Sequence, residues 1–245
     1  GVAFTFNRGI WFGTAYNFWL NEISGSEPTV TSDPMIHGAQ IGVKMPVGSS
    51  TLTLAAHYYD LSASQGRPIP QAPFFNNNAN NNTTIGPAAT AALLNDYEVF
   101  DVLAQFDTTL GGLPFQVWAE AAQNQDPSGF VPGTVVPSTV PNDQDTAWSA
   151  GFLFGRASNA KTWEFGAMYQ KVEKDALFAQ LIDSDFAGGF SDNEGFAVRA
   201  GYAPVRNWVL NATYFVNQRN VERANAANQL EVDYNRLQVD FNVRF

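Results

Sequence analysis

Hydrophobic and polar side chains alternate without interruption over the last nine residues of the chain. This period of two predicts a β-strand with one apolar and one polar face. The segment is about as long as a tilted strand that crosses a bilayer, so it fits a membrane β-barrel; an amphipathic strand of a soluble sandwich is the alternative. The apolar positions are Leu237, Val239, Phe241, Val243 and Phe245, and the polar ones are Gln238, Asp240, Asn242 and Arg244.

The same period recurs in about eleven segments, and the connections between them alternate between short and long. Short turns on one side and long loops on the other are typical of outer-membrane barrels, whereas sandwiches mix their loop lengths. The sequence therefore predicts an all-β protein, a transmembrane antiparallel up-and-down β-barrel. The short connections fall at residues 7–9, 46–49, 110–114, 156–161 and 203–207, and the longest connection spans residues 62–95.

Aromatic residues stand at both ends of several apolar faces, with small aliphatic residues between them. The segments 163–169, 196–202 and 208–214 each begin and end in this way. Rings at both ends predict two interfacial girdles around a band that faces hydrocarbon. Composition agrees, because the chain has 20 Phe, 8 Tyr and 6 Trp but only 15% charged residues.

Strand parity indicates a longer barrel. If the last strand descends to the periplasm, the first strand must also descend, because the turn at residues 7–9 that follows it is short. Bacterial single-chain barrels have an even number of strands and both termini in the periplasm. We therefore expect residues 1–245 to form a single barrel domain that lacks at least one N-terminal strand of a barrel of about 12 to 16 strands.

Charge and chemistry exclude several classes of protein. The net charge of −10 argues against a nucleic-acid partner. The absence of cysteine removes disulfides and thiolate metal sites. With two histidines, His37 and His57, the chain has few candidate general bases, and no trio of nucleophile, base and orienting group is visible. We expect no enzymatic activity.

The second half of the chain resembles a known family. Residues 162–169, 199–202, 208–215 and the terminal strand are similar to the bacterial "putative porin" outer-membrane proteins, which are usually longer barrels of the general-porin type. The resemblance implies passive diffusion of small hydrophilic solutes across the bacterial outer membrane. We further expect contacts with membrane lipid and lipopolysaccharide, and a homo-oligomer such as a trimer.

The end of the chain also resembles the terminal signature that the outer-membrane barrel assembly machinery reads. Phe241, Val243 and Phe245 carry this resemblance, since an alternating strand closes on an aromatic residue.

Polar side chains on the second face of each strand are the candidate pore lining. Both signs of charge are present, as expected where opposed acids and bases tune ion selectivity. Acids outnumber bases, so we expect a mild cation preference. The candidates are Lys44, His57, Asp60, Asp101, Gln105, Glu120, Glu164, Arg199, Arg236, Asp240 and Arg244.

A plugged structural or adhesion barrel is the alternative function, in which these charges pair across a narrow lumen and the loops meet outside partners. Glycines on the lumen side favour the open version, because they leave room inside the wall. Gly13 is included because the second strand places Phe12, Thr14, Tyr16 and Phe18 together on the other face. The glycines are Gly13, Gly38, Gly42, Gly151, Gly166 and Gly201.

The loop at residues 62–95 is the candidate constriction. It is longer than an ordinary connection, which usually signals function or disorder. Arg67 carries one of its few charges, and Phe74 and Phe75 offer an apolar anchor. The alternatives are an extracellular loop and a subunit-contact loop.

Residues 177–190 lie in another long loop and predict a short helix ended by two glycines. Nearby carboxylates, Asp183, Asp185 and Asp192, are possible Ca²⁺ ligands, although their spacing does not complete a known loop motif. No other cofactor is expected.

Overall fold

The computed structural model describes residues 1–20, 33–62, 64–66, 68, 79–85, 91–126, 144–221 and 230–244. Regular structure in these residues is almost entirely β, with one 3₁₀ turn at Ala179–Leu181. No helix in the described part of the chain is long and apolar enough to cross a membrane. The strands are β1 Val2–Arg8, β2 Trp11–Trp19, β3 Met35–Val47, β4 Ser50–Ser62, β5 Thr84–Ile85, β6 Ala92–Leu93, β7 Glu98–Leu110, β8 Leu113–Asn124, β9 Thr146–Gly155, β10 Thr162–Val172, β11 Asn193–Ala203, β12 Trp208–Arg219 and β13 Val232–Val243.

Eleven of the strands form one antiparallel sheet in chain order, and β4 pairs directly with β7. The two short strands β5 and β6 pair only with each other, within the loop that connects β4 to β7. Among the described strands, β1 and β13 each have a neighbour on one side only, so the sheet is open. This up-and-down order is that of part of a barrel and confirms the predicted all-β class.

The short turns form where the backbone takes positive φ angles. Between β7 and β8, Gly111 and Gly112 have φ angles of 61° and 81°, the pair of left-handed residues that a type I′ hairpin turn requires. Between β11 and β12, Asn207 takes the same region with φ 67°, which asparagine tolerates better than most residues. We call the edge of the sheet with these turns the turn end, and the opposite edge the loop end.

One face of the sheet is apolar and exposed. It comprises the side chains in phase with Phe4, Ile41, Phe196 and Leu237, and Phe4 and Leu237 are 71% and 66% exposed. Soluble monomers rarely leave a continuous apolar surface of this extent in water. Between β10 and β11 the aromatic ends are in register, because Trp163 pairs with Tyr202, and Tyr169 pairs with Phe196. We call this side the apolar face.

The other face, the polar face, comprises the side chains in phase with Lys44, His57 and Arg199. Buried apolar residues also lie on this side, at the loop end, where loops cover the sheet. They form three clusters: Leu61, Ala91, Leu93, Tyr97 and Phe178; Phe186, Ala187, Ala197 and Phe215; and Ala147, Val172 and Ala176. The hydrophobic core of this molecule therefore lies between the loops and the sheet. Each large apolar side chain buried there stabilises the fold by about 1.5–3 kcal/mol.

Candidate functional site

Strand register places all but one of the predicted lining residues on the polar face. Each alternates with apolar-face residues of its own strand, as His57 does with Ala56 and Tyr58, and Arg199 with Val198 and Ala200. The residues found there are Lys44, His57, Asp101, Gln105, Glu120, Glu164, Arg199, Arg236, Asp240 and Arg244.

Asp60 does not belong to this group, and its predicted position was wrong. It lies two residues from Tyr58 on β4 and therefore lies on the same side of the sheet, the apolar face. There it pairs with His37 of β3, with 3.2 Å between Nε2 and Oδ2. Both residues lie near the loop end of their strands. The same pair engages the His37 imidazole, which therefore lies on the apolar face, opposite the charged side chains of the polar face.

The two faces of β2 are the reverse of those predicted, so the side chains expected outside lie on the polar face and those expected inside lie on the apolar face. Tyr16 pairs with Gly38 and faces inward, whereas Trp11 and Trp19 lie on the apolar face with exposures of 51% and 58%. Gly13 is therefore outside. Both faces of β2 carry aromatic residues, so hydrophobic alternation alone does not distinguish them.

Because β2 is reversed, Tyr16 lies beside a group of polar-face side chains on β4, β7 and β8 that is rich in carboxylates. The Tyr16 hydroxyl lies 2.9 Å from Nε2 of His57, and Nδ1 of His57 lies 3.5 Å from Asp101 Oδ2. Glu120 is close by on β8, next to Ala121 and Ala122 that pair with Val102 and Asp101. Nearer the turn end, Asp107 accepts hydrogen bonds from two glutamines, Gln105 and Gln116, each at 2.8 Å. Carboxylates therefore dominate this half of the polar face.

Arginines dominate the other half, on β10 to β13. Arg199 donates to Glu164 with 2.6 Å between Nη2 and Oε1, and the second oxygen of Glu164 accepts from the backbone N–H of Ala157 at 3.2 Å. Both carboxylate oxygens of Glu164 thus have a hydrogen-bond donor, and the oxygen that bonds Arg199 holds the guanidinium in place. A cavity of about 540 Å³ opens beside this pair at the turn end, and Arg156 and Arg244 also line it.

A long connection lies over the polar face at the loop end. Residues 173–192, between β10 and β11, are here named the inward loop. Phe186 is buried against inward-facing Ala197 and Phe215, and Asp185 lies 2.8 Å from Arg236 Nη1 on β13. Because Ala197 and Arg236 lie four residues inside their strands, the loop reaches past the rim of the sheet.

Side chains from the β4–β7 connection hold the inward loop. Asn82 donates to the carbonyls of Lys174 and Leu177, each at 2.9 Å, and its Oδ1 accepts from Ala179 N–H at 2.8 Å. Buried Asp175 accepts from Thr83 N–H at 2.8 Å and from the Tyr97 hydroxyl at 3.3 Å. Burial, together with the negative Asp175, raises the pKa of Tyr97 well above its usual value. These bonds satisfy groups that would be costly to bury alone.

A comparison with protein-family models places this geometry in context: residues 71–245 match the model described as "Putative porin". The chain belongs to the putative porin family. No curated protein matches the chain. The matched region includes the inward loop and the arginine-rich half of the polar face, so the family extends over most of the described site.

The predicted constriction residues of this porin, Arg67, Phe74 and Phe75, lie outside the described residues. The described parts of the 62–95 loop contact a neighbouring segment through Asn82 and Thr83, and Ala91 and Leu93 pack against Leu61 on the polar side. The inward loop also lies on the polar face. Phe186 is followed by Ala187 and then by two glycines with positive φ, Gly188 and Gly189, which turn the loop back. An aromatic residue followed closely by a pair of glycines is the signal that sequence reasoning could have used.

The predicted Ca²⁺ ligands are not gathered. Asp185 is engaged by Arg236, Asp183 accepts from the N–H of Asp185 at 2.9 Å, and Asp192 is buried. No group of three or more metal-ligating side chains occurs among the residues that the structure describes.

The predicted assembly strand is β13. Phe241 and Val243 lie on its apolar face, and the Phe241 ring packs edge-on against Trp208 of β12 at 5.4 Å. Phe245 lies outside the described residues. The role of these residues in assembly stays a prediction.

Proposed function

We propose that this porin is an outer-membrane channel through which small hydrophilic solutes and ions diffuse passively. The observation that carries the proposal is the pairing of two surfaces on one sheet: an exposed apolar face and a continuous polar face with charges of both signs. Such a wall suits lipid on one side and water on the other. Membership of the putative porin family supports the same function.

Narrowing of the channel belongs, in this proposal, to the inward loop. Asp185 and Arg236 form an ion pair on the polar face, with side chains 33% and 39% exposed. A partly exposed pair of this kind leaves both groups in contact with a hydrated path. Opposed charges at a narrow point produce a transverse field that orients polar solutes.

A mild cation preference follows from the balance of charges that remain after pairing. Glu164 is neutralised by Arg199, and Arg236 by Asp185. Asp101, Asp107, Glu120 and Asp240 then face Lys44, Arg156 and Arg244, with His57 beside Asp101. The excess of carboxylates is small, so the preference is weak. A trimeric assembly, contact with lipopolysaccharide and recognition by the assembly machinery belong to the same proposal.

The rival function is a plugged structural barrel that presents its loops to outside partners. The apolar clusters between loops and sheet favour it, because they fill part of the polar side at the loop end. They leave the turn end open, where a cavity of about 540 Å³ remains.

Single-channel conductance of the detergent-purified native protein in a planar bilayer, under a salt gradient, tests the proposal. Stable ohmic steps with a reversal potential of cationic sign are expected. Silence from a folded, heat-modifiable barrel contradicts the channel and favours the plugged structure. A reversal potential of anionic sign contradicts the cation preference alone.

A further inference from the structure

The turn-end cavity carries more cationic groups than its ion pairs use. It is defined by Arg156, Ser158, Arg199, Asn211, Asp240 and Arg244, together with the Glu164 carboxylate. Arg156 and Arg244 make no ion pair within the described residues. Three guanidinium groups therefore face one cavity against two carboxylates, and Glu164 is already fully engaged.

The three arginines of this cavity, with Ser158 and Asn211, come from one turn, from two strands and from the end of a third strand. Arg156 and Ser158 come from the β9–β10 turn, and Arg199 and Asn211 from β11 and β12. Arg244 directly follows β13 and is tied down by a hydrogen bond from its backbone N–H to the carbonyl of Asn207, 3.0 Å long. The donors are thus spread around a single space and do not form a flat surface patch.

The shape and chemistry of the cavity select a class of ligand. A volume of about 540 Å³ falls within the ordinary range for small-molecule sites. A planar guanidinium fork matches a carboxylate in a bidentate manner. Ser158, Asn211 and Asn242 add neutral hydrogen-bonding groups for further polar atoms of a solute.

We propose that this cavity is a binding subsite for small organic carboxylates at the turn-end mouth of the channel. Arg244 and Arg156 bind the carboxylate, Arg199 is held by Glu164 as a third donor, and Asp240 limits the number of negative charges that fit. The transport role of the subsite rests on the proposed channel function, whereas carboxylate binding does not. Local anion recognition at one mouth is compatible with a weak overall cation preference.

Calorimetric titration of the detergent-folded native chain with succinate tests binding directly. The neutral isostere succinamide is the ligand control. Removing both free arginines, in the double variant Arg156→Gln with Arg244→Gln, is expected to weaken succinate binding about tenfold, since exposed charge pairs contribute only modestly each. Arg206→Gln is the matched control, because Arg206 lies in the neighbouring turn without lining the cavity, and it should leave binding unchanged.

The proposal is overturned if succinamide binds as well as succinate, or if Arg206→Gln weakens binding as much as the double variant. In the second case the effect is general attraction by the basic mouth and not a subsite. Far-ultraviolet circular dichroism and heat-modifiable migration show that each variant is folded. Asp240→Asn provides an independent readout, and tighter succinate binding is expected because one opposing charge is removed.

Bilayer recordings separate this proposal from the channel function. Succinate added on the turn-end side should reduce the current of the wild type more than succinate added on the opposite side, and the double variant should lose this difference. A protein that binds succinate but does not conduct retains the subsite and contradicts the channel. A protein that conducts but does not bind succinate retains the channel and contradicts the subsite.

Discussion

The two ends of the polar face are built from the same strands but differ in what covers them. At the loop end, the inward loop and the β4–β7 connection bury Phe178, Phe186 and Asp175, and the Asn124 side-chain amide of β8 donates to the Asp175 carbonyl. At the turn end, two- to six-residue connections leave a cavity open and its arginines exposed. The comparison teaches that loop length decides where the polar face is covered and where it stays open.

The largest expected effect is on the covered end. Replacing Asp175 by Ala removes the acceptor for Thr83 N–H and for the buried Tyr97 hydroxyl. Leaving such donors unpaired should cost about 4 kcal/mol in the stability of this region. Hydrogen exchange of residues 79–85 and 173–192 should accelerate, while exchange at the turn end stays unchanged.

The matched control for that experiment is Asp183→Ala, because Asp183 lies on the same loop but is exposed. Equal acceleration in both variants would contradict the role assigned to Asp175.

Phe186→Ala should open the covered end without removing a hydrogen bond. Its ring packs against Phe215 at 6.3 Å and is buried, so truncation should cost about 3 kcal/mol. Single-channel conductance should rise because the loop loses its anchor on the wall. Leu181→Ala, an exposed position on the same loop, serves as the control. Unchanged conductance in a folded Phe186→Ala variant would show that the loop does not narrow the path.

Alkaline pH should loosen the loop end through Tyr97. Burial beside Asp175 raises the pKa of Tyr97, so the folded state keeps a proton that the unfolded state loses. The stability that this provides is complete below about pH 10, where free tyrosine ionises, and falls as pH rises further. Tyr97→Phe should cost about 1 kcal/mol at neutral pH and remove part of the alkaline loss.

Thermal unfolding at pH 8 and at pH 11 measures that difference, and Tyr214→Phe on the exposed apolar face is the reference. An identical alkaline loss in the wild type and in Tyr97→Phe would rule out Tyr97 as its source.

The smallest effect concerns charge at the inward loop. Asp185→Asn frees Arg236, and because both side chains are partly exposed the stability should change by less than about 1 kcal/mol. The reversal potential should shift toward anions, and Arg236→Gln should shift it toward cations. Shifts of the same sign in both variants would contradict a hydrated location for this pair.

The strands and most of the polar face could be predicted because they depend on local alternation. His57, Asp101 and Arg199 each follow the period of their own strand, so their face is readable without knowing any neighbour. Asp60 follows the same rule, because its position in β4 places it on the apolar face although its side chain is charged. Tyr16 could not be placed in this way, because β2 carries rings on both faces.

The glycines of β3 indicate which side chains of β2 lie on the polar face, which the alternation within β2 does not. An added Cβ at Gly38 would lie 2.7 Å from the Tyr16 hydroxyl oxygen and 2.5 Å from the Tyr58 carbonyl oxygen. Gly42 stands under the Phe12 ring in the same way. Which aromatic ring covers which glycine depends on the register between the two strands, and the sequence of one strand alone does not determine that register.

The inward loop could not be predicted, because its contacts are distant in sequence and have no period. Asn82 reaches Lys174 across 92 residues, and Asn81 reaches Ser191 across 110. An asparagine-rich tract looks like a flexible connection until its partners are known.

These long separations order the events of folding. Loop closure over about a hundred residues is entropically costly until intervening strands have paired, and non-local contacts form slowly. The bonds from Asn81 and Asn82 to the inward loop must therefore form after β7 to β10 have assembled between them. In the proposed channel, the chain would therefore pass through an intermediate whose polar face is still uncovered at the loop end, and the last folding step would reduce its permeability.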